Sequence, residues 1–451
     1  MSKLFAELRP TLALAAPIIV GQVSQMLLGV ADSVMVGRAG TVPLAASAFG
    51  GGVFNVFFVL GIGLMLPVSI FVARAHGAGK PAECGEYLRH GLALALVFGV
   101  LETLAMGALS FALGWFDQPP EVLAVVRPYF LLLAASLLPV LVYLGLRQFS
   151  EAMGRPWMPM VVMLATVVLN VVLNWVFIYG NLGAPALGLT GAGLATLLAR
   201  IAGAGAILVC LRRDPAMRAA WPRRWWGGFS RTRFREMLHI GLPSAGMLFF
   251  ETTAFAFSGI MMGWLGAVPL AAHQITLTCA SLAFMLPLGL SSAVGMRVSR
   301  AVGAGELARR RPIAGSALVA SFAAMSGFGL LFFGFGTTIA GWFVHDPAVI
   351  ALAAQLLVVA ALFQLVDGTQ VIGAAALRGI TDVKVPALIT FAAYWIFALP
   401  LSYLLGVRGP FGAAGIWSGI AIGLACAAVA LTWRFARLTR PGARGAGGGL
   451  P

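Results

Sequence analysis

Twelve stretches of some twenty or more mainly apolar residues, set off from one another by Gly, Pro and Arg, make up most of the chain. The hydrocarbon core of a bilayer takes about 20 residues of helix, so each stretch is long enough to cross it. They read as 11–35, 43–73, 88–114, 121–147, 157–180, 187–211, 235–263, 268–297, 313–336, 348–376, 385–406 and 411–434. The runs are continuously apolar rather than alternating, which argues against a barrel and leaves helices to satisfy the backbone hydrogen bonds in lipid. With 60% hydrophobic and 10% charged residues, the composition suits lipid better than water. The fold class expected is an all-α polytopic membrane protein without a sizeable soluble domain. The first run is longer than a signal-peptide core and no small-residue cleavage site follows it, so it is expected to be retained.

The net charge of +15 follows membrane topology rather than nucleic-acid binding. With both termini on one side, that side collects Lys3, Arg9, Arg74, Lys80, Arg89, Arg147, Arg155, eight Arg between Arg212 and Arg235, Arg297 to Arg311, Arg378, Lys384 and the Arg residues from Arg434 to Arg444. The other side holds Arg38, Arg127 and Arg408, and Arg200 lies inside a span. By the positive-inside rule both termini are cytoplasmic, as in a multi-pass protein of a bacterial inner (plasma) membrane, and no nucleic-acid partner is implied. The four cysteines form no CxxC pair, and the Gly-rich chain from 437 to 451 is expected to be disordered.

Laid on itself with an offset of 226 residues, the sequence matches itself. Pro17 falls on Pro243, Gly40 on Gly266, the run Val42 to Ala46 on Val268 to Ala272, Arg74 on Arg300, and Gly79 on Gly305. Each half carries six helices, an even number, so the halves enter the membrane in the same orientation as parallel repeats. The expected division is an N-terminal six-helix lobe over 1–211, a basic cytoplasmic linker over 212–234 with Trp221, Trp225 and Trp226 at headgroup level, and a C-terminal lobe over 235–436. Two such lobes with a cleft at the repeat interface are the architecture of alternating-access transport.

Four of the fifteen acidic residues fall inside spans: Asp32, Glu102, Glu251 and Asp367. A carboxylate at membrane depth costs a few kcal/mol unless it is protonated, paired or wetted, so each is a candidate functional group. Asp32 lies late in the first span. In the fifth, Asn170 and Asn174 stand four residues apart on one helix face, where their amides either serve a carboxylate or cation or act as interhelical polar glue. Glu251 is flanked by Thr252 and Thr253, and Asp367 by Gln364, Thr369 and Gln370. Glu102 has no repeat counterpart and stays outside this set. The five His residues show no metal-ligand spacing, and no Walker or Rossmann glycine motif appears. Neither an enzyme nor a bound cofactor is therefore expected, and an ion gradient is left as the drive for transport.

Twelve helices in two parallel halves, the duplicated VPLAA run, the RAHGAG and RAVGAG segments and the three acids together resemble multidrug and toxic compound extrusion (MATE) transporters, nearest the NorM-like bacterial branch. The resemblance runs from Leu12 to Arg434. It implies a V-shaped pair of pseudo-symmetric six-helix bundles, a monomer, exporting small organic or lipophilic cations in exchange for H⁺ or Na⁺. It implies a cation and substrate site at Glu251 and Asp367, and a second at Asp32, Asn170, Asn174 and Thr196. A Na⁺ would lie at Glu251 and Asp367 or at Asp32 and Asn174. Pro17 matches a helix 1 proline about which some relatives bend. Some relatives carry Tyr one turn before the helix 10 Asp where this chain has Phe363, which counts against a strictly Na⁺-type site. Two other readings differ in their needs. A flippase of lipid-linked oligosaccharides would call for cleft-facing bases, of which Arg200 is the one clear mid-span example, and a channel or scaffold would carry the acids incidentally.

Overall fold

The computed structural model describes residues 2–222 and 224–440. Among them there is no β-strand, and twelve helices are long and apolar enough to cross a membrane. They are α1 (Ser2–Arg38), α2 (Thr41–Gly77), α3 (Pro81–Leu109), α4 (Pro120–Ala152), α5 (Trp157–Tyr179), α6 (Leu189–Arg213), α7 (Arg231–Leu265), α8 (Ala267–Gly303), α9 (Arg310–Gly341), α10 (Pro347–Gly379), α11 (Lys384–Arg408) and α12 (Gly412–Leu438). Each overlaps one of the twelve expected spans; α3 ends at Leu109, short of the 114 expected, and α5, α6 and α12 miss an expected end by one or two residues. The last helix reaches Leu438, so the tail expected to be disordered from 437 begins inside it, and residues 441–451 lie outside the described set.

The repeat is visible in backbone detail. Gly40 and Gly266, which turn α1 into α2 and α7 into α8, have φ of +135° and +119°, and Gly79 and Gly305, after α2 and α8, have +69° and +76°. A side chain is strained in that region, which is why Gly recurs at both copies.

Packing divides the chain into two compact units: Val20–Ala245, and the segment up to Ile19 together with the chain from Gly246. The division expected at 211 and 235 follows the sequence repeat and not these packing units. The first part of α1 belongs with the C-terminal half, and the first part of α7 with the N-terminal half. The exchange has a physical cause in each unit. Glu7, 8% exposed, accepts hydrogen bonds from Arg297, and from Arg309 at 2.7 Å, while the Thr11 and Ser316 hydroxyls lie 3.3 Å apart. In the other unit Arg233 donates to Glu86 at 3.2 Å, Tyr87 to Glu236 at 3.2 Å, and the Ser230 amide to His90 Nε2 at 2.9 Å.

The crossing points are equally matched. A Cβ on Gly63 of α2 would stand 2.2 Å from the Ala245 Cα, and one on Gly289 of α8 would stand 2.3 Å from Ile19 Cγ1. Small residues let helices meet this closely where lipid offers no hydrophobic drive for association.

The linker also belongs to the Val20–Ala245 unit. Arg89, 5% exposed, donates to the Gly227 and Gly228 carbonyls at 2.9 and 3.0 Å, and the short 3-10 helix Pro215–Ala220 buries Met217 and Ala220. Trp221 packs edge-on against Trp225, and Trp226 is exposed.

Candidate functional site

In the Val20–Ala245 unit three helices bring four of the predicted residues into one closed hydrogen-bonded ring. Asn174 on α5 donates its amide to Asp32 Oδ1 on α1 at 2.5 Å and to Asn170 Oδ1, one turn back, at 3.1 Å. Asn170 donates to the Thr196 hydroxyl on α6 at 3.4 Å, and Thr196 donates to Asp32 Oδ2 at 3.3 Å. Every donor in the ring leads towards the carboxylate, so the ring suits an ionised Asp32 whose remaining lone pairs are open to a cation. Asn170 and Asn174 are fully buried, Thr196 nearly so and Asp32 half-buried, while Asn174 Oδ1 has no protein partner. The i,i+4 spacing of the two Asn residues is what closes the ring, since their amides must share a face to bond each other. Asn174→Ala removes two of the donated bonds and is expected to weaken cation binding to this unit about tenfold, read by a binding isotherm on purified protein.

The other unit holds a different arrangement. Asp367 on α10 is buried at 6% exposure, and Glu251 on α7 is half-buried. The two lie within coulombic reach of each other, and the buried Tyr394 hydroxyl on α11 feels both. Asp367 Oδ1, the Tyr394 hydroxyl, Gln370 Oε1 and both polar atoms of Gln364 are buried without a protein partner. The neighbouring Thr residues do not supply one, because Thr253 and Thr369 bond the carbonyls of Phe249 and Leu365 on their own helices. Unmatched buried polar groups are rare in folded proteins, so this cluster has the form of a ligand site. Gly368 holds the acid in place: a Cβ there would stand 2.4 Å from Ser321 Oγ on α9. The walls are aromatic, with Phe255 edge-on to Phe363 at 6.0 Å and to Tyr394 at 6.3 Å, and Phe363 edge-on to Trp417 at 5.5 Å.

Pro17 is buried inside α1, in the segment that packs with the C-terminal half, and not in the unit that contains Asp32. Glu102 is buried on α3, with Oε2 unpartnered and facing Gly61 of α2. Two further polar groups lie at these sites: Tyr394, which the sequence did not single out, and Arg200, singled out there only as the mid-span base a flippase would need. Tyr394 sits in an apolar run that gives no hint of its facing. Arg200 lies one helical turn after Thr196, donates to the Ser136 hydroxyl at 2.6 Å and stacks over the Phe54 ring at 4.4 Å. Its unusual depth was the only signal for it. No group of three or more His, Cys, Asp or Glu residues suited to a metal ion occurs among the described residues.

The MatE family model matches residues 17–176 and again 243–404, two copies that begin 226 residues apart, the offset of the internal repeat. The probable multidrug resistance protein NorM of Pseudomonas syringae pv. tomato is 36% identical, covering 98% of both chains. The multidrug resistance protein PmpM of Pseudomonas aeruginosa is 34% identical over 96% of this chain and 92% of its own. A solved structure of a mutant of the Vibrio cholerae MATE transporter VcmN superposes with a TM-score of 0.89 at 21% identity, covering 97% of this chain and 98% of that one. The fold, the duplicated family match and the full-length relatives agree, and the chain belongs to the MatE family of multi-pass membrane transporters.

Proposed function

We infer that this protein is a secondary active multidrug exporter that exchanges small organic or lipophilic cations for H⁺ or Na⁺ by alternating access. The observation that carries the reading is the pair of carboxylate sites held inside the helical units, one ringed by amide and hydroxyl donors, the other beside orphaned polar atoms and aromatic walls. Two cations competing for one carboxylate exclude each other in a low-dielectric site, so antiport needs no further coupling device. Protonation of Asp32 opens the ring: an amide flip of Asn174 that offers its carbonyl oxygen to the new O–H gives up the bond to Asn170 Oδ1. The NorM and PmpM relatives, named as multidrug resistance proteins, support the substrate class.

The distribution of the basic segments supports cytoplasmic termini in a bacterial inner membrane. Arg212, Arg213, Arg218, Arg224, Arg231 and Arg235 are exposed there, in reach of membrane lipid. The protein acts as a monomer and needs neither cofactor nor nucleic acid.

The test uses purified protein in liposomes with an imposed ΔpH or Na⁺ gradient and a fluorescent organic cation. Uphill movement of the dye under one gradient, and its collapse by an ionophore for that ion, supports the antiport. Dye movement that follows only its own concentration gradient overturns it in favour of a passive pathway.

A further inference from the structure

The two units are copies in sequence, but the copies of the acid site have opposite polarity. The 226-residue offset places Gln25 of α1 where the other unit has Glu251. Further along, α4 and α10 align through Pro120 and Pro347 at their starts and through the positive-φ residues just past their ends, Gly154 and Thr381. That register places Val140 where the other unit has Asp367. In α6 and α12 the alignment runs through Gly188 and Gly412, with φ of +54° and +53°, and through Gly191 and Gly415. A Cβ on either of the latter would stand 2.3 or 2.6 Å from the carbonyl of the preceding helix. It places Arg200 opposite Leu424, which is fully buried in the apolar core of its unit. Both acids are therefore lost from the first copy, and a base has been gained.

These replaced positions line one cavity. Gln25, Val140, Tyr143, Met163, Thr166 and Arg200 enclose about 40 Å³, space for a group of a few heavy atoms rather than a whole drug molecule. The guanidinium is held on two sides, by the Ser136 hydroxyl and the Phe54 face, and no carboxylate among the described residues comes within salt-bridge distance of it. A fixed guanidinium suits a carboxylate, which it can engage with two parallel N–H donors. One helical turn away on the same face of α6, Thr196 holds Asp32, and the Asp32 carboxylate and the Arg200 guanidinium lie within coulombic reach of each other.

We propose that the cavity beneath Arg200 is an anion-accepting subsite that takes the carboxylate of a zwitterionic amphiphile whose cationic end is held at Asp32. The proposal rests on the reading of the chain as an exporter of organic cations, but it makes a separate claim. It concerns discrimination between a zwitterion and the corresponding simple cation.

The experiment is equilibrium binding of a matched dye pair, the tetramethylrhodamine zwitterion and its methyl ester, to purified wild type, Arg200→Gln and Gln25→Glu. Fluorescence anisotropy gives both affinities, and size-exclusion profiles and melting curves confirm that each variant is folded. The zwitterion-to-ester affinity ratio is expected to fall at least tenfold in Arg200→Gln, and to fall as well in Gln25→Glu, which places an acid in the cavity. A ratio within twofold of wild type in both folded variants overturns the subsite. The antiport reading is scored separately, by gradient-driven movement of the ester in liposomes of wild-type protein. If the ester is not moved while the ratio follows Arg200, antiport fails and the subsite stands.

Discussion

Asp367→Asn and Glu251→Gln are each expected to lower gradient-driven efflux of an organic cation at least about tenfold while leaving the protein folded. Two unit charges roughly 8 Å apart at an effective dielectric of about 20 interact by about 2 kcal/mol, which is roughly a thirtyfold change in affinity. Each substitution keeps the side chain's shape and deletes that term. Asp367 Oδ1 has no protein partner to lose, and the Gly368 contact that positions this part of α10 is untouched. Transport in liposomes and the melting temperature, measured together, separate loss of charge from loss of fold. Wild-type rates in both folded variants would remove the C-terminal pair from the mechanism.

Gly63→Leu and Gly289→Leu are expected to cost more stability than any single acid replacement. At Gly63 the obstruction is backbone: the Ala245 Cα and N would lie 2.2 and 2.5 Å from the new Cβ, so no rotamer relieves it. At Gly289 the first obstacle is the Ile19 side chain, with its Cα and N both at 3.1 Å. The overlap forces apart helices that meet only by close packing, and such overpacking costs about 1–3 kcal/mol, with the upper end or more expected where backbone must move. Gly63→Leu is expected to express poorly or to melt well below wild type, with Gly289→Leu affected less. Replacement of Gly107 by Leu, where a Cβ meets nothing within 4 Å, serves as the comparison. Equal melting temperatures for all three variants would show that the crossings are looser than the structure has them.

The spans were legible because lipid demands length and apolarity from each one, and those properties are local. The repeat was legible because its conserved turn positions require positive φ, which restricts Gly40, Gly79, Gly266 and Gly305 to one residue type. The exchange of the first parts of α1 and α7 was not. Hydropathy says that a segment crosses the membrane but not against which surface it packs, and the deciding contacts pair residues 290 to 305 positions apart for α1, as in Glu7 with Arg297, and 140 to 149 apart for α7, as in Arg233 with Glu86. The same limit applied to the sites. Asp32, Glu251 and Asp367 stood out because an acid in lipid is costly wherever it faces. The spacing of Asn170 and Asn174 showed a shared face, but that Thr196 closes their ring came from the family resemblance and not from any local pattern. Tyr394, in an apolar run with four aromatics between Phe391 and Phe397, carries a hydroxyl whose neighbours only the fold determines.

Exported cation and coupling ion compete for the same carboxylates. This competition is tested most directly by binding of tetraphenylphosphonium to purified protein as the concentration of H⁺ or Na⁺ is raised. The expected result is an apparent Kd that rises in proportion to the concentration of the coupling ion, with unchanged maximal binding, and loss of that dependence when Asp32, Glu251 and Asp367 are neutralised together. An apparent Kd that does not respond to either ion, or that falls as the ion is added, would contradict it.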